Sequence, residues 1–371
     1  MLTSHVIALD LSCSQLRGTF NPNSSLFKLY HFQTLNLAYS HFNYSSSIPH
    51  NIGQLRNLRL LNLFHSYFSA KIPTEISYFS NFVSIDLSPP YKYGLQLDLR
   101  TFEATLHNVT NLEEFCQRST RATLFWTYIQ LDLSYSQLSG SFPQSLVNLT
   151  NLYRLDLSSN KTTVDEGTSN TFPSLAISDL LSCELKNFPY FLINVKNLSC
   201  LDISKNKIWG QIPKWFSSMR CDMNKLKFLD LSQNNFSNLI PSCLESMTNI
   251  VALDLRSNNF TGSSPPLCAQ STSLRNIVRN GNQFERPVQM SLVNYDGLEI
   301  LDVHNNTIDD TFIAWLGTLD QLQILILKLN KFHGPTSTYK TKFFFSKLQT
   351  FYLSRNELSG SLPTKDLETT R

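Results

Sequence analysis

The clearest order along the chain is a recurring spacing of apolar residues. From Leu226 the sequence runs LKFLDLSQNNFSNLIPSCLESMTN, and from Ile250 it runs IVALDLRSNNFTGSSPPLCAQSTS in the same layout. Leu226, Leu229, Leu231 and Asn234 recur as Ile250, Leu253, Leu255 and Asn258. Within a copy, Phe228-Leu229-Asp230-Leu231 alternates, which predicts a short strand with Leu229 and Leu231 inward and Asp230 and Ser232 outward. Asn234 falls where that strand turns away. Its amide carries both donors and an acceptor, so it can satisfy buried turn backbone in its own coil and in the next. The second half of the unit carries Gly140 to Pro143 (GSFP), Gly210 to Pro213 (GQIP) and Gly360 to Pro363 (GSLP). Gly permits a turn and Pro forbids a central helix, which predicts a narrow second strand and then a short helical or 3₁₀ turn.

The pattern L-x-x-L-x-L-x-x-N, repeated with a period of about 24 residues, is that of a leucine-rich repeat. One unit cannot bury its own leucines, so stacked neighbours must supply the core. About fifteen such units can be read between Val6 and Leu348. The expected fold is an α/β solenoid, mostly β with short 3₁₀ or helical turns, forming a curved superhelix as one domain over residues 1–371. Asn160, Cys183, Asn206, Asn234, Asn258, Asn282, Asn306, Asn330 and Asn356 fill the structural ladder, with Cys183 as a weak thiol donor among amides. Ser14, Ser40, Ser66 and Ser136 take the position in the N-terminal half, which should be the less regular one. The frame breaks near residues 88–127, and a polar insert at 161–171 reads as a mobile loop. Arg279 falls where Leu255 and Val303 point inward, so it should either snorkel or distort its coil.

Composition changes this picture little. Charged residues make up 16% of the chain and the formal net charge is +3, with no dense basic run, so nucleic acid is not an expected partner. No stretch of roughly 18 apolar residues occurs, so contact with a membrane would need a segment absent from this sequence. No signal-peptide pattern precedes the first unit, and Met1 to His5 run straight into Val6. The seven cysteines leave at least one unpaired. Cys243 and Cys268 lie at near-matching positions of adjacent units, and form either an inter-coil disulfide or two buried packing thiols. Sequons begin at Asn23, Asn43, Asn108, Asn148, Asn197, Asn235, Asn259 and Asn305, which are glycosylation candidates if the chain is extracellular. Asn160 also begins one, but as a ladder residue it should be buried and bare.

A search for chemistry finds no catalytic constellation. There is no H-E-x-x-H, P-loop or G-x-S-x-G, and the kinase landmarks H-R-D and D-F-G do not occur. The Asp residues fall one per strand, which suits neither a calcium cage nor any other metal site, and no cofactor is expected. Stacked strands place equivalent positions in columns. One column reads Arg256, Asn280, His304, Lys328 and Ser354, beside Asp254, Asp302, Ile326 and Tyr352. Arg256, His304, Ile326, Lys328, Tyr352 and Arg355 form the candidate ligand-binding patch, since aromatic and Arg residues are enriched at interface hot spots. The alternative is that Asp and basic residues pair across coils and solvate the face, each pair contributing about 0–1 kcal/mol.

The G-x-I-P element resembles plant-type leucine-rich repeats. The opening run HVIALDLSCSQLRGTFNPNSSLFKLYHFQTLNLAYSHFNYS and the run LDVHNNTIDDTFIAWLGTLDQLQILILKLNKFHGP from Leu301 resemble plant receptor-like proteins of the tomato Cf and Verticillium-resistance type. The resemblance covers essentially the whole chain. It implies a non-enzymatic extracellular scaffold, at the outer face of the plasma membrane, that binds a peptide, protein or glycan ligand. It also implies signalling in plant defence through a partner receptor-like kinase. The family's cysteine-bearing N-terminal cap, later repeats and membrane helix have no counterpart here, so the chain reads as an ectodomain fragment, apoplastic if complete as given. The alternatives are a secreted polygalacturonase-inhibitor-like protein and a non-functional truncated receptor product.

Overall fold

The structure, a computed structural model, describes residues 5–43, 46–87, 129–135, 138–141, 149–163, 172–218, 225–241, 247–262, 273–336 and 345–360. It also describes a few positions between 95 and 116, and residues 146 and 244. The chain forms two compact units, Met1–Glu184 and Leu185–Arg371.

In the first unit, short strands lie side by side in chain order: Ala8–Asp10, Thr34–Asn36, Leu60–Asn62, Ser84–Asp86, Glu114–Cys116, Ile129–Asp132, Leu152–Asp156 and Ile177–Asp179. Each pairs in parallel with the next, because the chain makes one full circuit between them. The second unit repeats the arrangement with Cys200–Asp202, Phe228–Asp230, Ala252–Asp254, Asn276–Val278, Ile300–Asp302, Ile324–Ile326 and Thr350–Tyr352. The fold class is therefore the leucine-rich-repeat solenoid that the apolar spacing predicts.

Register accounts for the core. Leu201, Leu229, Leu253, Ile277, Leu301 and Leu325 are direct partners on successive strands, and all are buried. Leu35, Leu61 and Ile85 do the same in the first unit. Burying each such side chain contributes roughly 1.5–3 kcal/mol. Behind this spine, Phe236, Phe260 and Phe284 stack nearly parallel at 5.9 and 6.4 Å.

The second halves of the coils form the expected narrow strands, among them Trp209–Gly210, Asn235–Asn238 and Asn259–Gly262. Gly210 has φ +84°, and Gly140 and Gly360 also have positive φ, so the backbone favours glycine in the G-x-x-P element, although Ala70 and Asn238 adopt φ +73° and +68° at the same place. The outer turns are mostly 3₁₀: His50–Gln54, Thr74–Tyr78, Tyr190–Asn194, Met290–Asn294 and Ala314–Thr318. Pro49, Pro73 and Pro189 immediately precede three of them, each with φ near −65° and extended ψ.

The structure alters three expectations. The polar insert starts later than its composition suggests, because Lys161–Thr163 is a second-row strand paired with Ser139–Ser141 and Thr162 is buried. Alternation around a buried Thr outweighs the polarity of the run, and 164–171 lie outside the described residues. In the broken region, Glu114–Cys116 keeps its place between Ser84–Asp86 and Ile129–Asp132, while 117–128 lie outside the described residues. Arg279 neither snorkels nor distorts its coil. It is 3% exposed, and its N–H donates to the Asp302 carbonyl at 2.8 Å in the regular register.

Candidate functional site

The ladder fixes the corner at which the sheet face ends. Asn258 Nδ2 donates to the carbonyls of Leu231 and Leu255 at 3.0 and 3.1 Å, and its Oδ1 accepts the Phe236 N–H at 3.1 Å. Asn234, Asn282, Asn306, Asn330 and Asn356 repeat this triple bond to two coils. Asn160 does so in the first unit, and its sequon is accordingly buried. Asn206 donates to Ile203 and accepts from Leu185. Cys183 donates through Sγ to the Leu157 carbonyl at 3.0 Å, and burial pushes its thiol up to about 12. Ser66 Oγ donates to Leu37 at 2.7 Å, whereas Ser40 Oγ is buried with no partner among the described residues. Ser14 is exposed and Ser136 lies outside the described residues.

The residue before each ladder position is left-handed: Lys205, Gln233, Ser257, Asn305, Leu329 and Arg355 all have φ between +52° and +60°. At the same place Gly281 has φ +67°.

On that face the columns hold the patch together. Asp254, Val278, Asp302, Ile326 and Tyr352 are successive partners in register. Each Asp works on its own coil: Asp202, Asp230, Asp254 and Asp302 accept the N–H of the residue two further on at 2.8–3.1 Å. That turn brings residue i+2 onto the same face, so the ion pairs run along a strand end. Arg256 meets Asp254 at 3.0 Å, and His304 Nδ1 meets Asp302 at 2.7 Å. The cross-coil pairing expected from sequence is not how these groups meet. Asn280 Nδ2 lies 3.5 Å from His304 Nε2, which fits a proton on Nδ1 directed at Asp302. Lys328 Nζ sits 5.6 Å from the centre of the Tyr352 ring, and Tyr352 is 52% exposed. Ile326 is half-buried beside them, and Arg355 is exposed at the rim.

Burial pushes Asp254 up to about 6, with Asp230 and Asp202 adding repulsion that outweighs the Arg256 guanidinium. Asp132 is pushed up to about 6 by burial and then by Asp156. The spacing did not reveal this, although an Asp at the third strand position in coil after coil is a signal for it.

Of the glycosylation candidates, Asn23, Asn43, Asn235, Asn259 and Asn305 are exposed and Asn197 is half-buried. Asn108 and Asn148 lie outside the described residues, as do Cys243 and Cys268. A shallow outer groove of ≈ 800 Å³ in the first unit, with Tyr30, Tyr78 and the His50–Glu75 pair at 2.7 Å, had no sequence signal. Among the described residues no three His, Cys, Asp or Glu side chains gather as a metal site, and no helix is long and apolar enough to cross a membrane.

A family model described as Leucine Rich Repeat matches residues 197–219, 225–247 and 249–271. The chain is 28% identical over 361 residues to receptor-like protein 54 of Arabidopsis thaliana, covering 91% of this chain and 44% of that one. It is 35% identical over 164 residues to receptor-like protein Cf-9 of Solanum pimpinellifolium, covering 43% and 19%. It thus spans less than half the length of these relatives. Among solved structures, the Arabidopsis receptor kinase HAESA, in complex with the peptide hormone IDA and the co-receptor SERK1, shares the fold. The TM-score is 0.70 at 22% identity, over 97% of this chain and 63% of that one.

Proposed function

We propose, from the premise that this chain is a leucine-rich-repeat protein of the plant receptor-like type, that the sheet face of its second unit recognises a peptide or protein ligand. The observation that carries this reading is the pairing state of the patch. Arg256 and His304 already face Asp254 and Asp302, whereas Lys328 and Arg355 have no ion pair among the described residues. Two uncompensated cations next to Ile326 and the exposed Tyr352 ring suit a ligand that offers one acidic group and one apolar side chain. Charge supplies the approach and the aromatic surface supplies the anchor.

The relatives named above are receptor-like proteins, and the HAESA structure holds a peptide hormone with a co-receptor, which supports the same kind of ligand and of partner kinase here. Signal transmission at the outer face of the plasma membrane would then run through that partner.

The test is selection of binders from a displayed peptide library on the purified chain, followed by titration of an enriched peptide. Lys328→Glu with Arg355→Glu should weaken binding by at least tenfold, because each reverses a contact of about 1 kcal/mol or more. Asn23→Gln, far from the patch in sequence and in the other unit, should leave affinity unchanged. Enriched peptides that bind the double variant as well as the parent would overturn the assignment.

A further inference from the structure

The second row of strands in the second unit sets one large aromatic side chain in solvent beside a sequon. Trp209–Gly210 pairs in parallel with Asn235–Asn238, and Trp209 and Asn235 are direct partners in register. Alternation decides where they point. Ile208 and Phe236 are buried, so Trp209 and Asn235 stand outward on the same face, on strands about 4.8 Å apart. Trp209 is 69% exposed, whereas Trp215 in the following turn is clasped by Phe188 and Tyr190 at 5.5 and 5.8 Å. Asn235 opens the sequon Asn235-Phe236-Ser237. Its backbone N–H donates to the Ile208 carbonyl at 2.8 Å, while its side-chain amide has no hydrogen-bond partner among the described residues. Asn259, the sequon of the next coil, is set differently. Its register partner is Ser237, and its Oδ1 lies 3.5 Å from the Gln283 amide.

We propose, resting on the reading of the chain as extracellular, that Asn235 carries an N-linked glycan whose first sugar lies flat on the Trp209 indole. In the modification, Asn235 Nδ2 attacks the anomeric carbon of a lipid-diphosphate-linked oligosaccharide. The C–N bond forms, the C–O bond to the diphosphate breaks, the lipid diphosphate leaves, and an amide proton passes to a base of the transferring enzyme. A pyranose has a face of C–H groups and a rim of hydroxyls. Laid on the indole, it removes apolar area of both partners from water and leaves the hydroxyls hydrated. Trp209 is the direct register partner of Asn235, so a sugar there reaches the ring without crossing another coil. Asn259 has polar neighbours, Ser237 and Gln283, so a glycan on it meets no ring and stays in solvent.

The experiment secretes the full chain from plant cells behind a cleavable leader, so that modification does not depend on where the native chain resides. Glycopeptide mass spectrometry should find Asn235 occupied. Hydroxyl-radical footprinting should oxidise Trp209 about threefold to fivefold more slowly than in Asn235→Gln, with Trp215 unchanged as the internal reference. Endoglycosidase should release the Asn235 glycan from folded Trp209→Thr about threefold faster than from the parent. A bare Asn235 in the secreted protein, equal Trp209 oxidation with and without the glycan, or equal release from parent and Trp209→Thr overturns the proposal. A native chain glycosylated elsewhere but bare at Asn235 overturns it too. A native chain bare at every sequon, with Asn235 occupied in the secreted form, overturns the extracellular reading instead.

Discussion

Asn258 joins two coils by hydrogen bonds that a shorter side chain cannot reproduce, donating to the Leu231, Leu255 and, at 3.3 Å, Arg256 carbonyls and accepting from the Phe236 N–H. Asn258→Ala would strand the Phe236 N–H inside the core, while the Leu231 and Leu255 carbonyls keep the amides of Asn234 and Asn282. One buried orphan costs about 1–3 kcal/mol, so the variant should lose about that much, read as a lower denaturant midpoint at constant slope. A loss below about 1 kcal/mol would mean that water reaches the corner. Cys183 offers the converse experiment. Its thiol makes a weak version of one of these bonds in a site that is 0% exposed. Cys183→Asn should therefore add about 1 kcal/mol, provided the amide finds the same carbonyl and the Leu180 carbonyl of its own coil. An unchanged or lower midpoint would show that the coil has closed around sulfur.

At the scale of the strand, the same few residues set both the shape of the face and its response to pH. Asp254 and Asp132 are pushed up to about 6, against about 4 in an unfolded chain. Between those values the two folded-state groups bind protons that the unfolded chain releases, so their contribution to stability rises as pH falls from about 7 to about 4, against the smaller opposite contribution of His65, whose pKa burial lowers. Asp132→Asn with Asp254→Asn keeps an oxygen for the i+2 N–H and removes the titration, so the slope of unfolding midpoint against pH should flatten. A parent protein whose midpoint falls steadily from pH 7 to pH 5 would contradict this. The strands themselves were readable from sequence, because a period of two around Leu229 and Leu253 leaves one choice of buried face. The Asn ladder was readable for the same reason, as one polar position recurring in an apolar frame. The direction of the Asp254–Arg256 and Asp302–His304 pairs was not, since column geometry alone makes cross-coil and along-coil partners look equally near. The left-handed residue before each ladder position was hidden because Leu329 and Lys205 carry no sign of it, and only Gly281 and Asn305 hint at it. Lys161–Thr163 was misread because three polar-looking residues conceal one buried Thr.

Across the whole molecule, the two units bury equivalent leucine frames and differ chiefly in what stands at the corner. Leu61 and Leu253 are equally inaccessible, so hydrophobic burial does not separate the units. The second unit's described coils carry amides that tie two neighbours together. In the first unit Asn160 does the same, but Ser66 reaches one neighbouring carbonyl, and Ser40 reaches none among the described residues. The aromatic contacts of the first unit, such as Phe42 on Phe68 at 4.6 Å, add packing but no hydrogen bond between coils. In a stacked array, stability is approximately a sum over units and their nearest-neighbour interfaces, so a weaker corner repeated from coil to coil accumulates. Local opening should therefore be easier in the first unit, and amide hydrogen exchange is the measurement that resolves it. The amides of Leu60–Asn62 should exchange at least tenfold faster than those of Ala252–Asp254, a gap that one hydrogen bond of about 1.4 kcal/mol already produces. Ser66→Asn should narrow that gap if the ladder is its cause. Equal protection of the two strands in the parent would instead place the stability in the leucine spine, and would make the corner amides determinants of turn geometry with little share in holding the coils together.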